Sequence, residues 1–163
     1  MKKSLKRRDF LSTGSMACMG CMGLFSVPGV FARSPEYKDD PVVLSELTYC
    51  GYQCPDDCKM YKGTVEKNED LLKEAYGEWS IKERYDVDFD PGVVFCYKCK
   101  NPGKPEGIIL TRCTVRQCVM EKELECCVEC DELPECKKDL WTRFPEFHDA
   151  VIKLQKRYRE EST

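Results

Sequence analysis

Between Asn68 and Tyr85, the apolar residues Leu71, Leu72, Ala75, Tyr76 and Trp79 recur at three- and four-residue spacing among charged neighbours. That period predicts one amphipathic helix, with Asn68 as its cap. The same stripe returns near the end of the chain at Phe147, Val151, Leu154 and Tyr158, and Pro145 is placed to open that helix. A shorter helix is expected from Cys136 to Phe144, and the helix formers from Thr114 to Leu124 predict about three turns. Elsewhere the pattern is brief or broken. Val93-Val94-Phe95 is a short apolar run, and Asn101 to Gly107 reads as a loop because of Pro102, Gly103, Pro105 and Gly107. Trp79, Trp141, Phe144 and Phe147 are expected in the core, and His148 on the surface of the last helix. The expected fold is mainly α, a small irregular helix-rich domain with little or no sheet.

The first 32 residues have a different pattern. Lys2, Lys3, Lys6, Arg7 and Arg8 form a basic start, and no charge follows from Phe10 through Ala32. Arg7-Arg8-Asp9-Phe10-Leu11 matches the twin-arginine consensus, a receptor-read address for export. Val30-Phe31-Ala32 offers small residues for cleavage after Ala32. Gly14, Gly20, Gly23, Pro28 and Gly29 make the stretch a poor membrane helix. Cys18 and Cys21 lack the Leu and small-residue run that precedes a lipoprotein cysteine. The expected organisation is a twin-arginine signal peptide over residues 1–32, a linker over 33–47 carrying Pro35 and Pro41, and a cysteine-rich domain over 48–160. Such a chain would act outside the cytoplasm, in the periplasm or beyond, with no stable membrane span in its mature part.

Charge removes one class of partner. The full chain has 26 basic and 29 acidic residues. Loss of residues 1–32 takes away five basic and one acidic side chain, so the mature net charge falls from −3 to −7. The remaining Lys and Arg are interspersed with Asp and Glu. Nucleic acid is therefore not an expected partner, and an acidic surface of this kind suits contact with another protein.

Chemistry is concentrated in cysteine. Of 13 cysteines, 11 lie beyond residue 32: Cys50, Cys54, Cys58, Cys96, Cys99, Cys113, Cys118, Cys126, Cys127, Cys130 and Cys136. Cys96 with Cys99, and Cys127 with Cys130, are C-x-x-C pairs, a spacing that lets one tight turn aim two thiolates at one ion. Only one histidine is present, so any site must be nearly all thiolate. That ligand set selects zinc or an iron–sulfur cluster. The ferredoxin run ending in Cys-Pro is absent, which favours zinc as the cofactor with iron–sulfur as the alternative. A third reading is disulfides, common in small exported domains. An odd number of thiols and an export route that carries folded proteins both argue for metal loaded before export. The expected ligands are Cys50, Cys54, Cys58, Cys96, Cys99, Cys113, Cys118, Cys127, Cys130 and Cys136. Cys96, Cys99, Cys113 and Cys118 are grouped at one site and the other six at a second.

Several of these motifs stand in the order of a known family. Tyr49-Cys50-Gly51-Tyr52-Gln53-Cys54, Cys58, Tyr61, Glu78-Trp79, the pair Cys96 and Cys99, Cys113-Thr114-Val115-Arg116-Gln117-Cys118, and Cys127 with Cys130 before Leu133-Pro134 and Cys136 resemble the domain of unknown function 3795 family. The resemblance runs from about Thr48 to Arg157. The sequence departs from the family at the gaps from Cys54 to Cys58 and from Pro134 to Cys136. It departs again at Cys126, which stands where a polar residue is more usual and which we take as the supernumerary thiol. The resemblance implies a shared cysteine scaffold and brings no activity with it.

Two functions remain in competition. One is a metal-stapled binding or accessory module. The other is a redox protein, either an iron–sulfur electron carrier or a thiol–disulfide oxidoreductase, in which Lys98 and Arg116 would activate neighbouring thiols. A catalytic set for hydrolysis or group transfer is not recognisable. Gly103-Lys104-Pro105 lacks the spacing of a phosphate loop, and Asp56-Asp57 and Glu160-Glu161 read as solvated surface.

Overall fold

The computed structural model describes Tyr37 and residues 40–162. The expected signal peptide lies outside these residues, as does part of the expected linker. Seven α-helices follow one another: α1 (Lys59–Val65), α2 (Glu69–Glu78), α3 (Ile81–Tyr85), α4 (Ile108–Thr111), α5 (Thr114–Glu121), α6 (Asp139–Arg143) and α7 (Pro145–Glu161). Short 3-10 turns occupy Leu44–Glu46, Cys127–Glu129 and Leu133–Glu135, and no strand occurs among the described residues. The mainly α expectation therefore holds. None of these helices is long and apolar enough to cross a membrane.

Two apolar clusters organise the chain. The smaller joins Met60, Leu72, Ala75, Ile81, Val94 and Cys96, so α1, α2 and α3 form one lobe against the segment that carries the first C-x-x-C pair. The larger gathers α5, α6 and α7 with the second pair. Its centre is Phe147, fully buried between Tyr52 and Trp141 at ring-centroid distances of 5.9 and 5.5 Å. Burial of such a ring contributes about 2–3 kcal/mol. Val151, Leu154 and Tyr158 continue the same face, as the stripe predicts.

The described end of the linker packs on this larger lobe. Leu44 and Leu47 are buried in its core, the Tyr37 hydroxyl donates to the Gly51 carbonyl at 2.9 Å, and Arg157 donates to the Asp40 carbonyl at 2.6 Å. Trp141 is buried as expected, whereas Trp79 and Phe144 are half-buried at the edges of the two clusters.

Four expectations need correction. The single helix over 68–85 is two. Asn68 caps α2, its Oδ1 accepting from the amides of Asp70 and Leu71 at 3.1 and 3.2 Å. The helix then stops at Trp79, and Ser80 takes left-handed torsions, φ 49° and ψ 48°. Ile81 explains the break. It lies nine residues after Leu72, which a continuous helix would carry about 180° round to the opposite face. Reversal at Ser80 returns Ile81 to the core, where it is fully buried. The segment after Cys113 makes two turns rather than three, ending at Glu121, and Glu123 follows in the left-handed region at φ 54°. The Cys136–Phe144 helix begins only at Asp139, because Cys136 closes the Leu133–Glu135 turn. Finally, His148 is only partly at the surface. It is half-buried, stacked on Trp141 at 4.7 Å, with Nε2 2.8 Å from the Leu133 carbonyl.

Candidate metal–thiolate centres

Ten of the 11 described cysteines face two places. Six of them, Cys50, Cys54, Cys58, Cys96, Cys99 and Cys113, line one chamber of about 180 Å³ between the lobes. Local structure aims each one. Cys50 leaves a tight turn closed by Gly51 N–H to the Thr48 carbonyl at 3.0 Å, and Thr48 Oγ1 lies 3.3 Å from Cys50 Sγ. Gly51 is required there, with φ 81° and its Cα so near Val151 that a Cβ would come within 2.9 Å of Cγ1. Cys58 stands at the start of α1. Cys113 caps α5, where the Arg116 amide reaches its Sγ at 3.5 Å.

The first C-x-x-C pair is held from three sides. Thr64, buried in α1, accepts the Cys96 amide at 2.9 Å. Gly107 lies so close to the Phe95 carbonyl oxygen that a Cβ would sit 2.1 Å from it, and the Ile108 amide donates to the Val93 carbonyl at 3.0 Å. Lys98 adopts φ 69°. Its amide donates to Cys96 Sγ at 3.3 Å, and the left-handed torsion that follows turns the chain back toward Cys99. An N–H aimed at sulfur stabilises a thiolate over a thiol, which is what a metal-binding turn needs.

Burial opposes ionisation in this chamber. It pushes the Cys50 thiol up to about 12, against the Thr48 hydrogen bond, and raises Cys96 and Cys99 as well. Cys99 is raised further by repulsion from Cys50, Cys96 and Cys113. Cys58 is the exception. A hydrogen bond from the Cys54 thiol, together with the Tyr61 and Met60 amides, holds it below the ordinary thiol value, and Cys54 is raised in turn. The raised thiols, Cys50, Cys54, Cys96 and Cys99, would ionise more readily beside an added cation.

The second group is Cys118, Cys127, Cys130 and Cys136, around a gap of only about 20 Å³ beneath Trp141 and Leu133. Successive 3-10 turns place them: the Cys130 amide donates to the Cys127 carbonyl at 3.0 Å, and the Cys136 amide to the Leu133 carbonyl at 3.1 Å. The Cys127 amide is itself tied to the Tyr49 carbonyl at 2.9 Å. From α7, Gln155 reaches in with Nε2 donating to the Val128 and Cys130 carbonyls at 2.8 and 2.7 Å. Lys122 Nζ lies 3.5 Å from Cys130 Sγ.

These groups differ from the expected partition. Cys118 stands with Cys127, Cys130 and Cys136, while Cys50, Cys54 and Cys58 stand with Cys96, Cys99 and Cys113. Helix geometry accounts for the exchange. Five residues separate Cys113 from Cys118, about 140° of rotation on a helix, so the two sulfurs cannot share a face of α5. Cys126 lines neither space, although its sulfur accepts a hydrogen bond from the Cys127 thiol. It is fully buried, its Sγ 3.4 Å from the Thr48 carbonyl, which fits a structural thiol.

All 11 described cysteines are free thiols. Among the described residues no three Cys, His, Asp or Glu side chains meet closely enough to hold one ion as they stand. Ligation therefore requires side-chain rotation about fixed turns.

The expected activating cations are already engaged by acids, although Lys98 still lines the chamber and Arg116 acts on Cys99. The Lys98 ammonium pairs with Asp56 at 2.6 Å, and Arg116 forms a bidentate pair with Glu106. Gln155 and Lys122, which do support the second group, were not singled out by sequence. Gln155 had a signal in its place beside Leu154 on the apolar face of α7.

No curated protein and no solved structure matches this chain. The family model described as "Protein of unknown function (DUF3795)" matches residues 46–140, a span that contains both thiol groups in full. This chain is thus a member of the DUF3795 family.

Proposed function

We propose that this chain is an exported metal–thiolate protein, an accessory module with two centres of different purpose. In this reading Cys118, Cys127, Cys130 and Cys136 hold a structural zinc, and the six chamber thiols hold the working metal centre. The observation that carries it is the Cys96–Cys99 turn, whose Lys98 amide points at Cys96 Sγ at 3.3 Å. Further support comes from number and shape. Four thiols around a closed gap suit one tetrahedral ion. Six thiols around a chamber exceed what one such ion can use.

Because Cys50, Cys54, Cys96, Cys99 and Cys127 are held above the ordinary thiol value, metal uptake would release protons, and loading would weaken as pH falls. Anaerobically purified protein is expected to contain zinc, iron or both at more than one equivalent per chain, with most thiols unreactive until a chelator is added. Protein with neither metal, its cysteines paired as disulfides, would overturn the reading. Export rests on the Arg7-Arg8 motif. Replacement of both arginines by lysine should keep the chain in the cytoplasm, and unchanged export would exclude the twin-arginine route.

A redox role for the chamber is the second reading. It is favoured by the Cys54–Cys58 pair, in which one thiol stabilises the other's thiolate. A visible thiolate-to-iron absorption that bleaches on reduction would support an electron carrier. Disulfide exchange abolished by Cys58→Ser would support the oxidoreductase, and absence of both would leave the accessory module.

A further inference from the structure

A second cavity, of about 420 Å³, opens behind the first C-x-x-C pair and shares Lys98, Cys99 and Leu110 with the thiol chamber. Its volume falls at the lower end of small-molecule sites, about 300–1,000 Å³. Tyr49 and Tyr97 form two walls, and Met120, one of few large apolar side chains left exposed among the described residues, stands at its edge at 48% exposure.

The cations around this cavity exceed the acids. Lys98, Lys100, Lys104 and Arg116 line it against Glu106 and Glu125. Most are already committed. Lys98 pairs with Asp56 at 2.6 Å, and Lys100 donates to the Leu44 carbonyl at 2.7 Å and lies 3.8 Å from Glu125. Arg116 uses both terminal nitrogens on Glu106.

Two donors are left. Arg116 is 8% exposed, yet its Nε has no hydrogen-bond partner. Lys104 lies 5.5 Å over the Tyr97 ring, and among the described residues no carboxylate pairs with it. A buried donor without a partner costs stability unless something supplies an acceptor. An anion held by Lys104 would supply one once the Arg116 side chain turns its Nε, which has no accessible surface as it stands, toward the cavity, and the apolar part of the same molecule would cover Leu110 and Met120.

We infer that this cavity is a binding site for a small organic anion with an apolar body, seated against Cys99 at the back of the thiol chamber. The shared wall gives the site a use. A bound anion would lie on the other side of Cys99 from the proposed metal centre, where its charge would act on that sulfur. Recognition itself does not depend on the metal, so the inference stands apart from the proposed function and can survive its failure.

Two fluorescent probes of nearly equal shape test it: 8-anilinonaphthalene-1-sulfonate, an anion, and N-phenyl-1-naphthylamine, its uncharged counterpart. With the full-length protein as purified, the anion should bind at a single site and about tenfold more tightly than the neutral probe, as one charge-assisted contact provides. Lys104→Glu, on an exposed loop, should weaken the anion by about tenfold and leave the neutral probe within about twofold. Met120→Gln should weaken both probes alike. Equal binding of the two probes, or an anion affinity indifferent to Lys104→Glu, would overturn the inference. Metal content measured on the same samples separates this result from the metal–thiolate reading: selective anion binding by metal-free protein would reject that reading and keep this one.

Discussion

The two thiol groups begin from the same device, a C-x-x-C pair, and end as different objects. Cys127 and Cys130 sit in a run of 3-10 turns inside the larger core, clamped by Gln155 and covered by Trp141, with a gap of about 20 Å³ among four thiols. Cys96 and Cys99 sit where two lobes meet, and with four more thiols they border about 180 Å³. Spacing alone prepares a half-site in both cases. What surrounds the turn decides whether the half-site becomes part of a closed knot or the wall of a chamber. A closed knot serves the fold, and a chamber that also borders a second cavity has room for a ligand.

The largest effect should come from breaking the knot. Structural zinc contributes about 10–16 kcal/mol in zinc-finger peptides, comparable to or above the whole stability of a domain, about 5–15 kcal/mol. The double substitution Cys127→Ser with Cys130→Ser is therefore expected to leave no cooperative thermal transition by circular dichroism. Cys96→Ser with Cys99→Ser should instead lower the metal-to-protein ratio while the near-ultraviolet signal of Trp141 and its neighbours persists. If the two doubles behave alike, the division into structural and working centres is wrong.

Smaller changes separate the regions without touching a sulfur. Gly107→Ala would place a Cβ 2.1 Å from the Phe95 carbonyl oxygen, a backbone atom that cannot swing aside, so the Cys96–Cys99 turn must lift from α4. A cost of about 2–3 kcal/mol is expected, or roughly 5–10 °C in melting temperature. Gln155→Ala leaves the Val128 and Cys130 carbonyls without their side-chain donor and should cost about 1–3 kcal/mol. Urea unfolding gives both values. The informative outcome is the pattern of metal loss, from the chamber for Gly107→Ala and from the four-thiol group for Gln155→Ala.

Local signals in the sequence carried the elements, and long-range packing carried the sites. The α7 stripe, the Asn68 cap and Pro145 at the start of α7 are all decided within a few residues, and they appear where the pattern puts them. The reversal at Ser80 is decided by burial of Ile81, and the local signal for it is Gly77, whose carbonyl accepts the Ser80 amide at 3.0 Å. Helix α1 was missed because Gly63, Thr64 and Val65 are weak helix formers, and its stability comes from packing against α2. The cysteine partition lies between these cases. The rotation between Cys113 and Cys118 was available from a helix beginning at Thr114, whereas the meeting of Cys50, Cys54 and Cys58 with Cys96 depends on how the lobes close.

Whether the lobes open separately can be tested by the mildest change. Asn68→Ala removes the cap of α2, whose Oδ1 satisfies two amides, and should cost about 1 kcal/mol. That corresponds to a rise of about fivefold in the population of any state in which α2 is undone. Each core holds its own reporter, since Cys96 is 8% exposed in the smaller cluster and Cys127 is 5% exposed in the larger. Alkylation followed by mass spectrometry reads both thiols in one sample. If the chamber wall opens on its own, Cys96 labelling rises about fivefold and Cys127 labelling stays at the wild-type rate. A matched rise at both cysteines would mean that the two cores open together. The chamber would then share the stability of the knot, and access to Cys96, its buried thiol, would require the whole domain to loosen.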